Sequence, residues 1–204
     1  NLGCFSFYPT KILGAYGDGG FILTQNYQLY KKIKRIRFYG IETEDNKNRF
    51  NKKYYANENG VNSRLDEIQA SILNFKLKKV DSFIKKRRQL AKVYMRELIS
   101  TSLTLPKENF YNRHVYHLFT VYHDKSKRII EELNKNKIET RIIYPYPIQK
   151  MKAYKRFKFD NKNLKKSEIM SKRIFSLPLY PELENKDVIF ICKKIKKILK
   201  KLNY

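Results

Sequence analysis

Lys11 stands between two apolar, strand-like runs, Cys4 to Tyr8 and Phe21 to Thr24, and a lysine in that setting is able to do covalent chemistry. Its amine can condense with an aldehyde to give a Schiff base. Partial desolvation by Phe5, Phe7 and Tyr8 would lower its pKa and raise its nucleophilicity. Pro9 stops the first run and Asp18-Gly19-Gly20 turns the chain into the second, so Lys11 is expected in a turn at a sheet edge. The competing reading is a solvated loop lysine, because the chain carries 45 Lys plus Arg and long charged side chains are mostly exposed. No metal chemistry is expected. His114 and His117 would face opposite sides of one strand, with His123 six residues on, and neither Cys nor carboxylate completes a ligand set.

The elements that must position Lys11 follow from spacing and punctuation. Asn26 is able to cap a helix running to about Arg35, and a polar loop rich in Asn, Lys and Tyr then leads to Gly60. Ser63 is the expected cap of the next helix, with Leu65, Ile68, Ile72 and Leu73, then Phe75 or Leu77, as its apolar stripe. A long amphipathic helix follows, with Val80, Phe83, Ile84, Leu90, Ala91, Tyr94 and Leu98 as its expected buried stripe and Lys85 to Arg88 on its expected wet side. After Pro106 the pattern predicts a strand over 114–122, a helix over 126–137 and a strand over 138–144 ending at Pro145 and Pro147. Further helices are predicted over 164–175 and 185–202. Residues 1–102 and 103–204 are the expected domains.

Composition sets outer limits. A chain of 204 residues with 42% hydrophobic residues can bury a core. The formal charge of +26 is spread along the whole length, with lysine outnumbering arginine, and no nucleic-acid motif accompanies it, so a nucleic-acid partner is not expected. Two cysteines, Cys4 and Cys192, give no disulfide framework, which suits a reducing cytoplasm. No apolar run of about 18 residues exists, so no membrane-spanning segment is expected.

Three motifs, in order, carry a resemblance: Ser6-Phe7-Tyr8-Pro9-Thr10-Lys11 with Leu13-Gly14-Ala15-Tyr16-Gly17-Asp18-Gly19-Gly20, then Gly60 to Ala70 (GVNSRLDEIQA), then Ser176-Leu177-Pro178-Leu179-Tyr180-Pro181. Together they resemble the DegT/StrS-type nucleotide-sugar aminotransferases, pyridoxal phosphate (PLP) enzymes of fold type I, across essentially the whole chain. The resemblance implies an α/β chain: a C-terminal remnant of the large PLP-binding domain over 1–102 and a small α/β domain over 103–204. Members run to nearly twice this length, so the N-terminal half is expected to be missing and the chain alone to be inactive.

The resemblance also implies roles. Lys11 matches the lysine that anchors PLP and moves protons, and the family's dehydratase relatives, which carry histidine there, are disfavoured. Ser6 matches a serine that bonds the cofactor phosphate, and Asn62 an asparagine that reaches the phosphate in the neighbouring subunit, which implies a homodimer with shared sites. Arg64 is a candidate for a carboxylate or a sugar-nucleotide phosphate. Tyr144 is a candidate substrate contact, although Ile143-Tyr144-Pro145 stands where the family often has His-Tyr-Pro. Asp18 is read as a turn residue. The implied reaction moves an amino group from glutamate onto a nucleotide-linked keto-sugar, at the 3-position by the wording of the lysine segment, in cell-surface glycan or deoxysugar biosynthesis. The rival readings are a non-catalytic interaction module, one subunit of a split enzyme, or a basic nucleic-acid-binding protein.

Overall fold

Two β-prone runs joined through a glycine-rich turn pair with each other. In the computed structural model, which describes residues 1–42, 54–157, 159 and 161–202, strands β1 (Leu2–Ser6) and β2 (Gly20–Thr24) are antiparallel, with Leu2 opposite Thr24 and Phe5 opposite Phe21. β1 ends before the expected Tyr8 because Phe7 and Tyr8 close the turn that holds Lys11. The Phe7 N–H donates to the Gly19 carbonyl at 2.8 Å, and the Tyr8 carbonyl accepts from the Lys11 N–H at 2.8 Å. The ribbon is apolar yet open: Phe5, Ile22 and Leu23 are 49%, 48% and 59% exposed.

Helix α1 (Tyr27–Ile36) begins as expected, with the Asn26 side chain accepting from the Leu29 N–H at 3.0 Å. Beyond it the backbone turns through positive φ at Tyr39 (57°) and Gly40 (74°) and meets the segment returning to Gly60. A Cβ on Gly60 would lie 2.0 Å from the Gly40 amide nitrogen, so only glycine permits this backbone crossing. The polar loop between these glycines is described at its two ends; residues 43–53 lie outside the described residues.

Helix α2 (Glu67–Leu77) differs from expectation at both its start and its buried face. Ser63 does not cap it. Asn62 forms a bridge with Phe38, and the Ser63 N–H donates to the Arg37 carbonyl at 2.9 Å, which keeps this stretch extended until Asp66. Among the proposed stripe only Leu73 is buried, while Ile68, Phe75 and Leu77 are exposed. The helix turns another face, Gln69–Leu73–Lys76, toward the chain, with spacing i, i+4, i+7.

The chain groups into two compact units, Asn1–Val80 and Asp81–Tyr204. The division between them falls at Val80, the first residue of the long helix α3 (Val80–Leu98). Its face, Leu90, Ala91, Tyr94 and Leu98, belongs to a core formed with Phe119 and Phe175, all within residues 81–204. Each buried leucine or phenylalanine among them contributes roughly 1.5–3 kcal/mol, which ties α3 to the C-terminal unit.

In that unit β3 (Phe119–Tyr122) pairs antiparallel with β4 (Ile174–Leu177), Phe119 opposite Leu177. The strand predicted over 114–122 is cut short because Tyr116 takes a positive φ of 47°. The strand predicted over 138–144 is reduced to one bridge, Arg141 to Ser176, with positive φ at Lys137 and Tyr144 on either side. Helix α4 (Ser126–Lys135) stops in a Schellman-type end: the Lys137 N–H donates to the Asn134 carbonyl and the Ile138 N–H to the Leu133 carbonyl. Helix α5 (Asn161–Arg173) ends before Phe175, whose ring is needed in the sheet core. Helix α6 (Asn185–Leu202) matches its predicted span and buries Val188, Ile191, Ile195 and Ile198. No helix among the described residues is long and apolar enough to cross a membrane.

Candidate active site

Lys11 sits in a turn whose base is tied twice, by Phe7 N–H to Gly19 carbonyl and by Ala15 N–H to Phe7 carbonyl, each at 2.8 Å. Inside it Gly14 packs on backbone, since a Cβ there would come 2.5 Å from the Pro9 carbonyl oxygen. Ser6 and Lys11 are joined through one residue. The Ser6 Oγ accepts from the Tyr8 N–H at 3.3 Å, and the Lys11 N–H donates to the Tyr8 carbonyl. Lys11 is half-buried. The apolar cover expected from three aromatics is incomplete: Phe5 and Phe7 stack on Phe21 at centroid distances of 4.4 and 5.5 Å, and Tyr8 is about half exposed.

Asn62 and Arg64 form a second pair in the same unit. The Arg64 Nε donates to the Asn62 Oδ1 at 3.1 Å, and its guanidinium lies over the Phe38 ring at 5.6 Å from the centroid. Among the described residues no hydrogen bond joins this pair to Ser6 or Lys11. Tyr144 belongs to the C-terminal unit and is 75% exposed, with φ of 61°. Asp18 is exposed in the turn. His114 and His123 each accept a backbone N–H through Nδ1, from Tyr116 and Lys125 at 2.9 Å, so both imidazoles serve local turns. The strand alternation invoked for His114 and His117 does not apply, because neither lies in β3.

Helix α2 supplies two residues that sequence reasoning missed. The Gln69 Oε1 accepts from the Tyr16 N–H at 2.8 Å, and the Lys76 Nζ donates to the Gly14 carbonyl at 2.5 Å. Both partners lie just past Lys11 in the chain. The available signal was their spacing of seven within a helix, which sets both on one face.

A model of the DegT/DnrJ/EryC1/StrS aminotransferase family matches residues 1–196. The chain belongs to this family. It is 38% identical over 185 residues to dTDP-3-amino-3,4,6-trideoxy-alpha-D-glucose transaminase of Micromonospora megalomicea subsp. nigra, covering 88% of this chain and 47% of that protein. It is 34% identical over 194 residues to the Pleiotropic regulatory protein of Geobacillus stearothermophilus, covering 94% and 50%. Its structure is similar to that of S. venezuelae DesV in complex with a ketimine intermediate, with a TM-score of 0.85, 30% identity, and coverage of 96% and 51%. The chain thus spans about half the length of the relatives it matches. The expected α/β fold, the C-terminal part of a PLP-dependent aminotransferase, holds.

PLP is the cofactor of this family's aminotransferases, and the chemistry of the donor set fits it. The Ser6 oxygen already accepts from Tyr8, which leaves its O–H proton to donate. The Asn62 oxygen is taken by Arg64, so what Asn62 presents is its amide N–H. Arg64 adds guanidinium donors and Lys11 an amine. Hydroxyl, amide and guanidinium suit a phosphate, and the amine suits an aldehyde.

Proposed function

We propose that this chain is the C-terminal portion of a PLP-dependent aminotransferase that transfers an amino group from glutamate to a nucleotide-linked 3-keto-sugar, in deoxysugar or cell-surface glycan biosynthesis. The carrying observation is the geometry around Lys11, a half-buried lysine on a turn tied at its base and followed by glycine packing that excludes side chains. The 3-position draws support from the lysine segment's wording and from the 3-amino sugar in the name of the Micromonospora relative.

When bound, PLP supplies the electron sink that makes the substrate's C–H acidic. The remaining work falls to this chain. Lys11 holds the cofactor covalently through Nζ and, once released, carries a proton at that same atom. Ser6 donates its hydroxyl to the phosphate. Asn62 donates its amide to the phosphate in the partner subunit of a cytoplasmic homodimer. Arg64 and Tyr144 contact the sugar nucleotide. A second reading, one subunit of a split enzyme, is favoured by the open apolar β1–β2 ribbon, which calls for cover.

The test is reductive trapping. In a complete enzyme assembled with the N-terminal half, borohydride in the presence of PLP is expected to label Lys11, and peptide mapping reads the position. A label on any other lysine overturns the assignment.

A further inference from the structure

We infer that Gln69 and Lys76 are positioning residues that set the Lys11 turn from the face of α2, an inference that rests on the reading of Lys11 as the reactive amine. The chain past Lys11 offers two unlike backbone groups to this helix. The Tyr16 N–H points to the Gln69 Oε1 at 2.8 Å, and the Gly14 carbonyl accepts from the Lys76 Nζ at 2.5 Å. One side chain is an acceptor and the other a cationic donor, so the pair fixes both the direction and the register of residues 14–16.

Three further contacts act with this clamp. Leu73, buried, lies between Gln69 and Lys76 on the same face. A Cβ on Gly17 would come 3.3 Å from the Gln69 side-chain nitrogen, so that glycine lets the amide lie close. The Lys76 ammonium also sits 5.1 Å from the centroid of the Tyr16 ring.

The clamp ties the Lys11 turn to the segment that carries Asn62 and Arg64. Asn62 and Arg64 immediately precede α2, and their extended segment is fixed to α1's C-terminal turn by the Phe38–Asn62 bridge and by the Ser63 N–H to Arg37 carbonyl bond. The same helix that continues from them holds the stretch following Lys11. α2 is thus a strut between the Lys11 turn and the Asn62–Arg64 segment of the same chain, and Gln69 and Lys76 are its attachment points. A lysine in this place is not interchangeable with a solvated one. It is half-buried, and its ammonium donates to a carbonyl that lies outside any helix or strand.

The test compares wild type, Gln69→Leu, Lys76→Met and Lys76→Arg, read by hydrogen exchange and by PLP–borohydride labelling in the complete enzyme assembled with the N-terminal half. Peptides covering 11–19 are expected to exchange about tenfold faster in Gln69→Leu and Lys76→Met, the size of one lost charge-assisted or buried hydrogen bond. Lys76→Arg is expected to restore slow exchange, and peptides from α6 should be unchanged in every variant. The share of label on Lys11 should fall severalfold in Lys76→Met and recover in Lys76→Arg. Unchanged exchange over 11–19 in both disrupting variants overturns the clamp. Faster exchange with undiminished Lys11 labelling overturns its positioning role. Labelling of another lysine in the wild type counts against the reading of Lys11 alone, and the exchange data then decide the clamp.

Discussion

Arg64 and Asn62 are bound to each other, Nε to Oδ1 at 3.1 Å, so the arginine dictates which end of the asparagine amide faces outward. The Phe38 ring under the guanidinium and the Phe38–Asn62 backbone bridge hold both residues from one side. Neither side chain is therefore positioned independently of the other. In a complete enzyme, Asn62→Ala should raise the PLP dissociation constant about tenfold to a hundredfold, as expected for a lost hydrogen bond to a charged group. Arg64→Ala should reproduce part of that loss by freeing the amide to rotate. The double variant should fall short of the sum, and equilibrium titration with PLP over a double-mutant cycle measures the difference. Full additivity would show that the pair does not act together.

Subunit mixing tests whether Asn62 works across a dimer. If it does, a heterodimer of Lys11→Ala and Asn62→Ala chains carries both defects at one site and none at the other. Activity should return toward half of the wild-type value per heterodimer. No recovery after confirmed subunit exchange would restrict Asn62 to its own chain, or to the turn that precedes α2.

Arg87 should prove a keystone of the C-terminal unit. It is 8% exposed and its NH1 donates to the carbonyls of Tyr116, His117 and Leu179 at 3.3, 3.1 and 2.7 Å. Burial pulls its pKa below the ordinary arginine value, with the Glu182 charge acting the other way. Because desolvation offsets part of the bonding, Arg87→Met is expected to cost about 3 kcal/mol rather than the sum of three bonds. Arg87→Lys should not restore the loss, since an ammonium on a flexible stem does not reproduce the guanidinium's fixed spread of donors. Chemical denaturation of the two variants gives the comparison.

The two cysteines should separate cleanly by reactivity. Cys4 is exposed and Cys192 is buried in the core, where burial pushes its thiol up to about 12 from an ordinary value of 9.0. Native protein should give one fast thiol with an alkylating reagent, on Cys4, and the second only on unfolding. Above pH 9 the unfolded chain loses the Cys192 proton while the folded chain keeps it, so the unfolded state binds fewer protons and stability falls as pH rises. Cys192→Ala should flatten that alkaline slope while lowering stability overall through the cavity it leaves.

The legible parts of this chain were those with one strong pattern. α6 could be read in full because its apolar residues recur with helical spacing and its lysines take the remaining face. The turn that carries Lys11 was legible through a motif that has Pro9 and Asp18-Gly19-Gly20 written into it. α2 was misread because its apolar residues outnumber the places available to bury them in this chain, and the side it packs is half polar. Gln69 and Lys76 could not be read as ligands of Tyr16 and Gly14, since those bonds join residues 53 and 62 positions apart. The predicted strands at 114–122 and 138–144 failed for a local reason, since left-handed residues at Tyr116, Lys137 and Tyr144 break runs that look extended by composition.

The β1–β2 ribbon has a further consequence for handling the protein. It exposes phenylalanine, isoleucine and leucine on a two-stranded sheet with two outer edges, a surface prone to pair with its like. Against this stands a formal charge of +26, which makes copies of the chain repel one another. That repulsion reaches about 10 Å in 0.1 M salt and only about 3 Å in 1 M. Colloidal stability is therefore electrostatic and conditional: dilute buffer keeps the ribbons apart, and salting the solution brings the strand edges within reach of one another.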